Sequence, residues 1–297
     1  MVTKPAVGLI AVAGRRRATL EMAQRLEREG FTGLYCPSPG DGLALCEALA
    51  LSTREITFGT SIANIYTRHA FDYAQTAAVI HELSGGRFRF GVGVSHGPIH
   101  ERLGIQPGRP LDDIRKFVGD VVAAAPQVGA LPPIVLATLR RRMVELSAEI
   151  ARGAVWANGA RSHMAASLSH LPASVRTDPD FFIGNMVPTC IDDDRAAAAA
   201  VMRRTLASYV RLPNYQNYWI EAGYEEEMLR DPRGARARRD PAGARAHVRS
   251  LAARRHALRQ RGGCSRGGRG MAGDRRADAR SWSPPRPAAG RWSRSTR

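Results

Sequence analysis

The chain has almost no lysine. Only Lys4 and Lys116 stand beside 42 arginines. It has four cysteines, Cys36, Cys46, Cys190 and Cys264, and no two form a C-x-x-C pair, which speaks against a zinc ribbon or a redox dithiol. Reduced thiols and a cytoplasmic setting are expected. No apolar run approaches the ~18 residues of a membrane span, so no membrane partner is expected. Residues Met1 to Pro5 lack the basic region and apolar stretch of a secretory leader. There is no P-loop and no G-x-S-x-G elbow, which disfavours an NTPase or a hydrolase. His96 and His100 are four residues apart but lack the intervening Glu of a zinc helix. Asp192, Asp193 and Asp194 read as a helix start, and no metal site is expected.

What is present is unevenly distributed. Net charge is +17, a balance that taken whole suggests a nucleic-acid partner. Residues 231–297, however, carry 19 arginines against Asp231, Asp240, Asp274 and Asp278, leaving the rest nearly neutral. That stretch has no Ile, Phe, Tyr, Asn, Glu or Lys and cannot build a strand with its covering helix. Two domains follow: a globular body over residues 1–229 and an Arg/Gly/Ala-rich tail, expected to be disordered, over residues 230–297. The tail is either a natural Arg/Gly segment or GC-rich coding DNA read out of frame; the second reading is favoured. As a nucleic-acid binder it would act weakly, non-specifically and with strong salt dependence.

The body alternates short apolar runs with amphipathic segments. Strands are expected at Val7–Ala13, Thr32–Cys36, Ile56–Ala63, Arg87–Val94, Pro133–Thr138, Ala154–Ala157 and Phe181–Val187. Helices are expected at Ala18–Glu29, Leu43–Leu51, Tyr73–Leu83, Leu111–Ala125, Leu139–Ala151 and Asp192–Arg211, with a short one near Ser162–Leu171. Seven βα units argue for a parallel sheet closed as a (β/α)8 TIM-type barrel, incomplete because the eighth unit is missing. A doubly wound open sheet is the alternative. The first βα turn, Ala13-Gly14-Arg15-Arg16-Arg17, lacks the G-x-G-x-x-G fingerprint that such a sheet would use.

Barrel chemistry sits at the C-terminal ends of strands. After the fourth strand stand Ser95 and His96; His96 is either a donor or general acid/base or a loop histidine without a role. After the third come Asn64 to His69, a polar rim or a helix cap. After the fifth come Arg140, Arg141 and Arg142, where cations oppose a helix dipole unless an anion binds. After the sixth, Asn158 and Gly159 open a turn suited to phosphate or amide contacts. Tyr215, Tyr218, Trp219 and Tyr224 either wall a pocket or pack a loop.

The stretch ITFGTSIANIYTRHAFDYAQTAAVIHELSGGRFRFGVGVSHG resembles the luciferase-like monooxygenase family, through AQTAA, ELSGGRF and the glycine-rich strand end. The likeness continues through PLDDIRKFV, VELSAEIARGAVWANG and LPNYQNYW, and covers about residues 6–229. It implies a (β/α)8 barrel holding a deazaflavin (coenzyme F420 type) or FMN across its mouth. It further implies hydride transfer or monooxygenation on a small-molecule substrate, with a homodimer allowed. The matched ring and substrate positions are Ser61, Asn64, Ser95 and His96, with a non-prolyl cis peptide expected at Ala63–Asn64. The phosphate is expected near Thr138, Asn158 and Gly159. Leu139-Arg140-Arg141 replaces the family's usual Gly-Pro turn, so Arg140 and Arg141 are expected to compensate. Cys36-Pro37-Ser38-Pro39 lacks a histidine found in some deazaflavin dehydrogenases, which speaks against a sugar-phosphate dehydrogenase. The rival functions are a nucleic-acid-binding protein acting through its tail, and an inactive remnant.

Overall fold

The computed structural model describes residues 3–38 and 40–229. The expectations for residues 230–297, including the missing eighth strand and the shifted frame, lie outside the described residues. Strands β1 (Val7–Gly8), β2 (Gly33–Cys36), β3 (Thr57–Thr60), β4 (Ala63–Asn64), β5 (Phe88–Gly93), β6 (Ile134–Thr138), β7 (Gly153–Ala157) and β8 (Phe182–Met186) pair in parallel throughout. Their order is β1-β2-β3-β5-β6-β7-β8, with β4 running on from β3 beside β5. Each crossover therefore moves to the next neighbour, as in a barrel wall. A doubly wound sheet would reverse direction at a switch point, which this order excludes. Among the described residues no strand pairs with the outer edges of β1 and β8.

The helices are α1 (Arg16–Arg28), α2 (Gly42–Ser52), α3 (Ala70–Leu83), α4 (Gly97–Leu103), α5 (Pro110–Ala123), α6 (Ala125–Val128), α7 (Arg141–Ile150), α8 (Met164–Ser169), α9 (Ala173–Arg176), α10 (Arg195–Ala207), α11 (Pro213–Glu221) and α12 (Glu225–Leu229). Local chemistry sets their starts. The Asp41 carboxylate accepts from Ala44 N at the head of α2, and Asp194 accepts from Ala196 N and Ala197 N at the head of α10. His69 Nδ1 accepts from Phe71 N at 3.2 Å, so α3 begins three residues before its first apolar stripe residue, Tyr73. Gly85 and Gly86, both at positive φ, end it.

The main core lies between sheet and helices. Leu34, Phe58, Phe88, Phe90 and Leu136 pack against Tyr73, Ala77 and Ile80 of α3 and Phe117, Val118 and Val121 of α5. Tyr73 stands 5.7 Å from the Phe90 ring and 5.5 Å from the Phe117 ring. Fully burying each such side chain is worth roughly 1.5–3 kcal/mol. Backbone approach is closest at Gly91, where a Cβ would lie 1.9 Å from the Thr60 carbonyl oxygen.

The structure departs from the sequence expectation in four places. The first strand pairs only over Val7–Gly8, and Ile10 and Val12 are exposed rather than buried, because β1 has no neighbour on its outer side among the described residues. The third strand is interrupted between β3 and β4. Helix α4, unforeseen, follows β5 at once, begun by Gly97-Pro98 and ended by Gly104 at positive φ. Val122, expected on the apolar stripe of α5, faces outward, since Ile114, Phe117, Val118 and Val121 already fill the inner face.

Candidate active site

The C-terminal strand ends surround a cavity of about 1620 Å³. A single drug-sized ligand occupies a pocket of ~300–1,000 Å³, so this one has room for two small molecules side by side. Ser61, Ala63, Asn64, Ser95, His96, Thr138, Arg140 and Arg141 all line it.

Beneath the cavity, the break between β3 and β4 carries a cis peptide at Ser61–Ile62. This corrects the expected Ala63–Asn64 pair: Ala63 and Asn64 are already extended and paired with Val92 and Gly93 of β5. The Ser38 hydroxyl donates to the Ile62 carbonyl. Asn64 Oδ1 accepts from Tyr66 N at 3.1 Å, and its carbonyl accepts from Thr67 Oγ1 at 2.9 Å and the Tyr73 hydroxyl at 2.7 Å. Ser61 Oγ and Asn64 Nδ2 are buried without a hydrogen-bond partner.

Strand β5 delivers the next wall. Ser95 has φ +59°, in the left-handed region, and His96 follows as the residue before α4. The His96 side chain makes no hydrogen bond among the described residues. Burial pushes its pKa down, and the neighbouring His100 adds to that, so the imidazole is neutral at neutral pH. His100 Nε2 lies 2.6 Å from the Val94 carbonyl, and its ring meets Tyr66 edge-on at 5.3 Å. Tyr66 donates to Asp113 Oδ2 at 2.6 Å, and burial with that carboxylate raises the phenol pKa.

The third wall is the head of α7. Arg140 donates through Nε to Glu221 Oε1 at 2.7 Å, with a second bond from Nη2, and so ties α7 to the end of α11. That hydrogen bond raises the Arg140 pKa. Arg141 lies 3.8 Å from Glu145, an exposed and loose pair. The helix head has no side-chain cap. Thr138 Oγ1 reaches the Val155 carbonyl at 3.4 Å.

Two expected site residues stand elsewhere. Asn158 and Gly159 are not on the cavity lining. Asn158 N donates to the Met186 carbonyl, and Gly159 exchanges two bonds with the Asn185 amide, so this turn joins β7 to β8. The ambiguous motifs take both roles. His69 caps α3 while Arg68 pairs with Asp41 at the rim. Tyr215 packs with Tyr218 and Trp219 under Leu212 and also lines the cavity. Sequence reasoning missed Tyr66, His100 and Asp113 as a linked set; Asp113 is one more helix-start acid in sequence, and only the fold sets it against Tyr66.

A model of the luciferase-like monooxygenase family matches residues 2–124 and 115–258, running past residue 229, where the sequence likeness was expected to end. A 5,10-methylenetetrahydromethanopterin reductase of Methanolobus tindarius is 28% identical over 102 residues, spanning 33% of this chain and 31% of that relative. Among solved structures, a coenzyme F420-dependent tetrahydromethanopterin reductase from Methanopyrus kandleri matches with TM-score 0.59 at 15% identity, covering 71% of this chain and 73% of that one. An F420-dependent secondary alcohol dehydrogenase in complex with an F420–acetone adduct gives TM-score 0.60 at 16% identity, covering 70% and 76%. A monooxygenase from Streptomyces bottropensis gives 0.57 at 16% identity, covering 85% and 89%. At these identities the likeness is one of fold.

Proposed function

The chain belongs to the luciferase-like monooxygenase family, and on that premise we propose that it is a flavin- or deazaflavin-dependent oxidoreductase acting on a small organic substrate by hydride transfer or monooxygenation. The observation that supports this reading is the pair of buried, partnerless atoms Ser61 Oγ and Asn64 Nδ2 on the lining of the large cavity. Leaving such an atom unsatisfied costs about 1–3 kcal/mol, which a ligand edge bearing donors and acceptors recovers. FMN or a deazaflavin, when bound, supplies a ring that takes up or gives up hydride.

The residues fit such a group. Ser61, Ala63 and Asn64 form a floor for a flat ring, and Gly91 lets the strands beneath approach closely. Thr138, Arg141 and the uncapped N–H groups of α7 suit a phosphate. Arg140 is held by Glu221 and shapes this wall rather than carrying the anion alone. Asn158 and Gly159 support the neighbouring turn through Asn185. Neutral His96 can donate to a substrate oxygen or carry a proton, with Ser95 beside it.

Titration with FMN, riboflavin and a deazaflavin cofactor tests the reading. Saturable binding of FMN or deazaflavin, weakened in Asn64→Ala, is expected. Binding of neither overturns it. Oxygen uptake during turnover marks monooxygenation, and turnover indifferent to oxygen marks hydride transfer.

A further inference from the structure

We infer that the second ligand of this cavity is an uncharged, largely apolar molecule carrying a carbonyl or hydroxyl oxygen, its carbon body on a wall built by α4 and the start of α5 and its oxygen at His96. This rests on the reading of the site given above, and it names the substrate class.

The wall is apolar for a specific reason. Ile99 and Leu103 lie one turn apart on α4, and Pro107 and Leu111 continue the surface; all four line the cavity. Leu103 is 48% exposed, carbon surface with no partner side chain over it. The polar groups behind this wall are consumed by one another. Asp113 Oδ2 accepts from the Tyr66 hydroxyl at 2.6 Å and from Gly108 N at 2.8 Å. His100 Nε2 donates to the Val94 carbonyl, since a carbonyl only accepts. A charged or strongly hydrated ligand body set here would lose water and gain no partner.

Two groups remain. His96, neutral and without a hydrogen bond among the described residues, presents one donor and one acceptor next to the wall. That matches a single carbonyl or hydroxyl oxygen. Arg102, the charged residue of α4 on the lining, is exposed and remains hydrated. The cavity volume of about 1620 Å³ leaves space for such a molecule beside a flat ring on the Ser61–Asn64 floor.

The test uses cyclohexanone and cyclohexanecarboxylate, a size-matched pair, with the full chain. Binding is followed by saturation-transfer NMR and by the His96 ring-proton shift, assigned through His96→Gln. Cyclohexanone is expected to bind saturably and move the His96 signal, and the carboxylate to bind at least about tenfold more weakly, as expected for a charge desolvated against carbon. Leu103→Asp, at an exposed position, should weaken cyclohexanone about tenfold or more by the same argument, with FMN affinity and Tm unchanged. Equal or tighter binding of the carboxylate, or unchanged cyclohexanone binding in Leu103→Asp, overturns the inference. Cofactor affinity is measured separately. Ketone binding without any cofactor binding overturns the oxidoreductase reading and leaves the wall standing; cofactor binding without ketone binding does the reverse.

Discussion

Tyr35 and Phe182 meet across the inside of the sheet, their ring centroids 5.5 Å apart, although they belong to β2 and β8. Arg89 of β5 joins them, its guanidinium 4.9 Å from the Phe182 ring centre and 3.2 Å from the Tyr35 hydroxyl. Residues from three staves thus hold the sheet in a curl. The curl brings the C-terminal ends of β3 to β7 around one cavity.

His96→Ala should cut turnover ~100-fold or more while leaving the fold intact. Its lowered pKa sets the pH dependence. The neutral form persists to lower pH than in a free imidazole, so the acid limb of the rate profile should lie below the ordinary value of about 6.5. His100→Gln removes the neighbouring like charge and should shift that limb upward. Unchanged turnover in His96→Ala would remove the residue from the mechanism.

Arg141→Gln should weaken FMN binding by about 1–3 kcal/mol, the range for a charge-assisted hydrogen bond, and leave riboflavin, which lacks the phosphate, nearly unaffected. Arg140→Gln should act differently. It frees Glu221 and loosens α11 from α7, so both ligands should suffer together. Equal losses for both ligands in Arg141→Gln would deny it a phosphate contact.

Gly91→Ala should destabilise the protein by several kcal/mol, about 1–3 or more for overpacking, because the new methyl lands 1.9 Å from the Thr60 carbonyl oxygen. Gly97→Ala, with nothing within 4 Å, serves as the matched control and should change Tm little. Denaturant unfolding of the two variants makes the comparison.

Glu27 Oε1 accepts from the backbone N–H groups of Arg54, Glu55 and Ile56 at 2.9, 2.8 and 2.9 Å. Burial pushes its pKa up, but those three bonds outweigh it and the net pKa is lowered. The folded value thus lies below the unfolded one of about 4.3, so the stabilisation is full above that pH and is lost as pH falls through the folded value. Glu27→Gln should cost about 1–2 kcal/mol at pH 7, reduced by solvent screening, and flatten the acid end of the stability curve.

The arginine excess of residues 231–297 predicts salt-dependent, sequence-independent binding to duplex DNA. A chain ending after Leu229 should lose that affinity and retain cofactor binding. Retained DNA affinity in the shortened chain would assign it to the body.

Much of the architecture was legible in the residues themselves. Apolar runs separated by helical stripes specify seven parallel staves in order, because a strand buried on both faces needs continuous apolar side chains and a helix needs one face only. Ser61, Asn64, Ser95, His96, Thr138 and Arg141 could be assigned to the barrel mouth because strand ends in sequence become rim positions once the topology is set. Pairings between distant residues could not be read. That Glu221 claims Arg140, that Asp113 ties off Tyr66, and that Asn185 holds the Asn158–Gly159 turn away from the cavity each depend on two loops meeting in space. Local periodicity carries no information about such meetings. Only the tertiary structure, by placing one loop against another, decided which polar groups are already satisfied and which are left for a ligand.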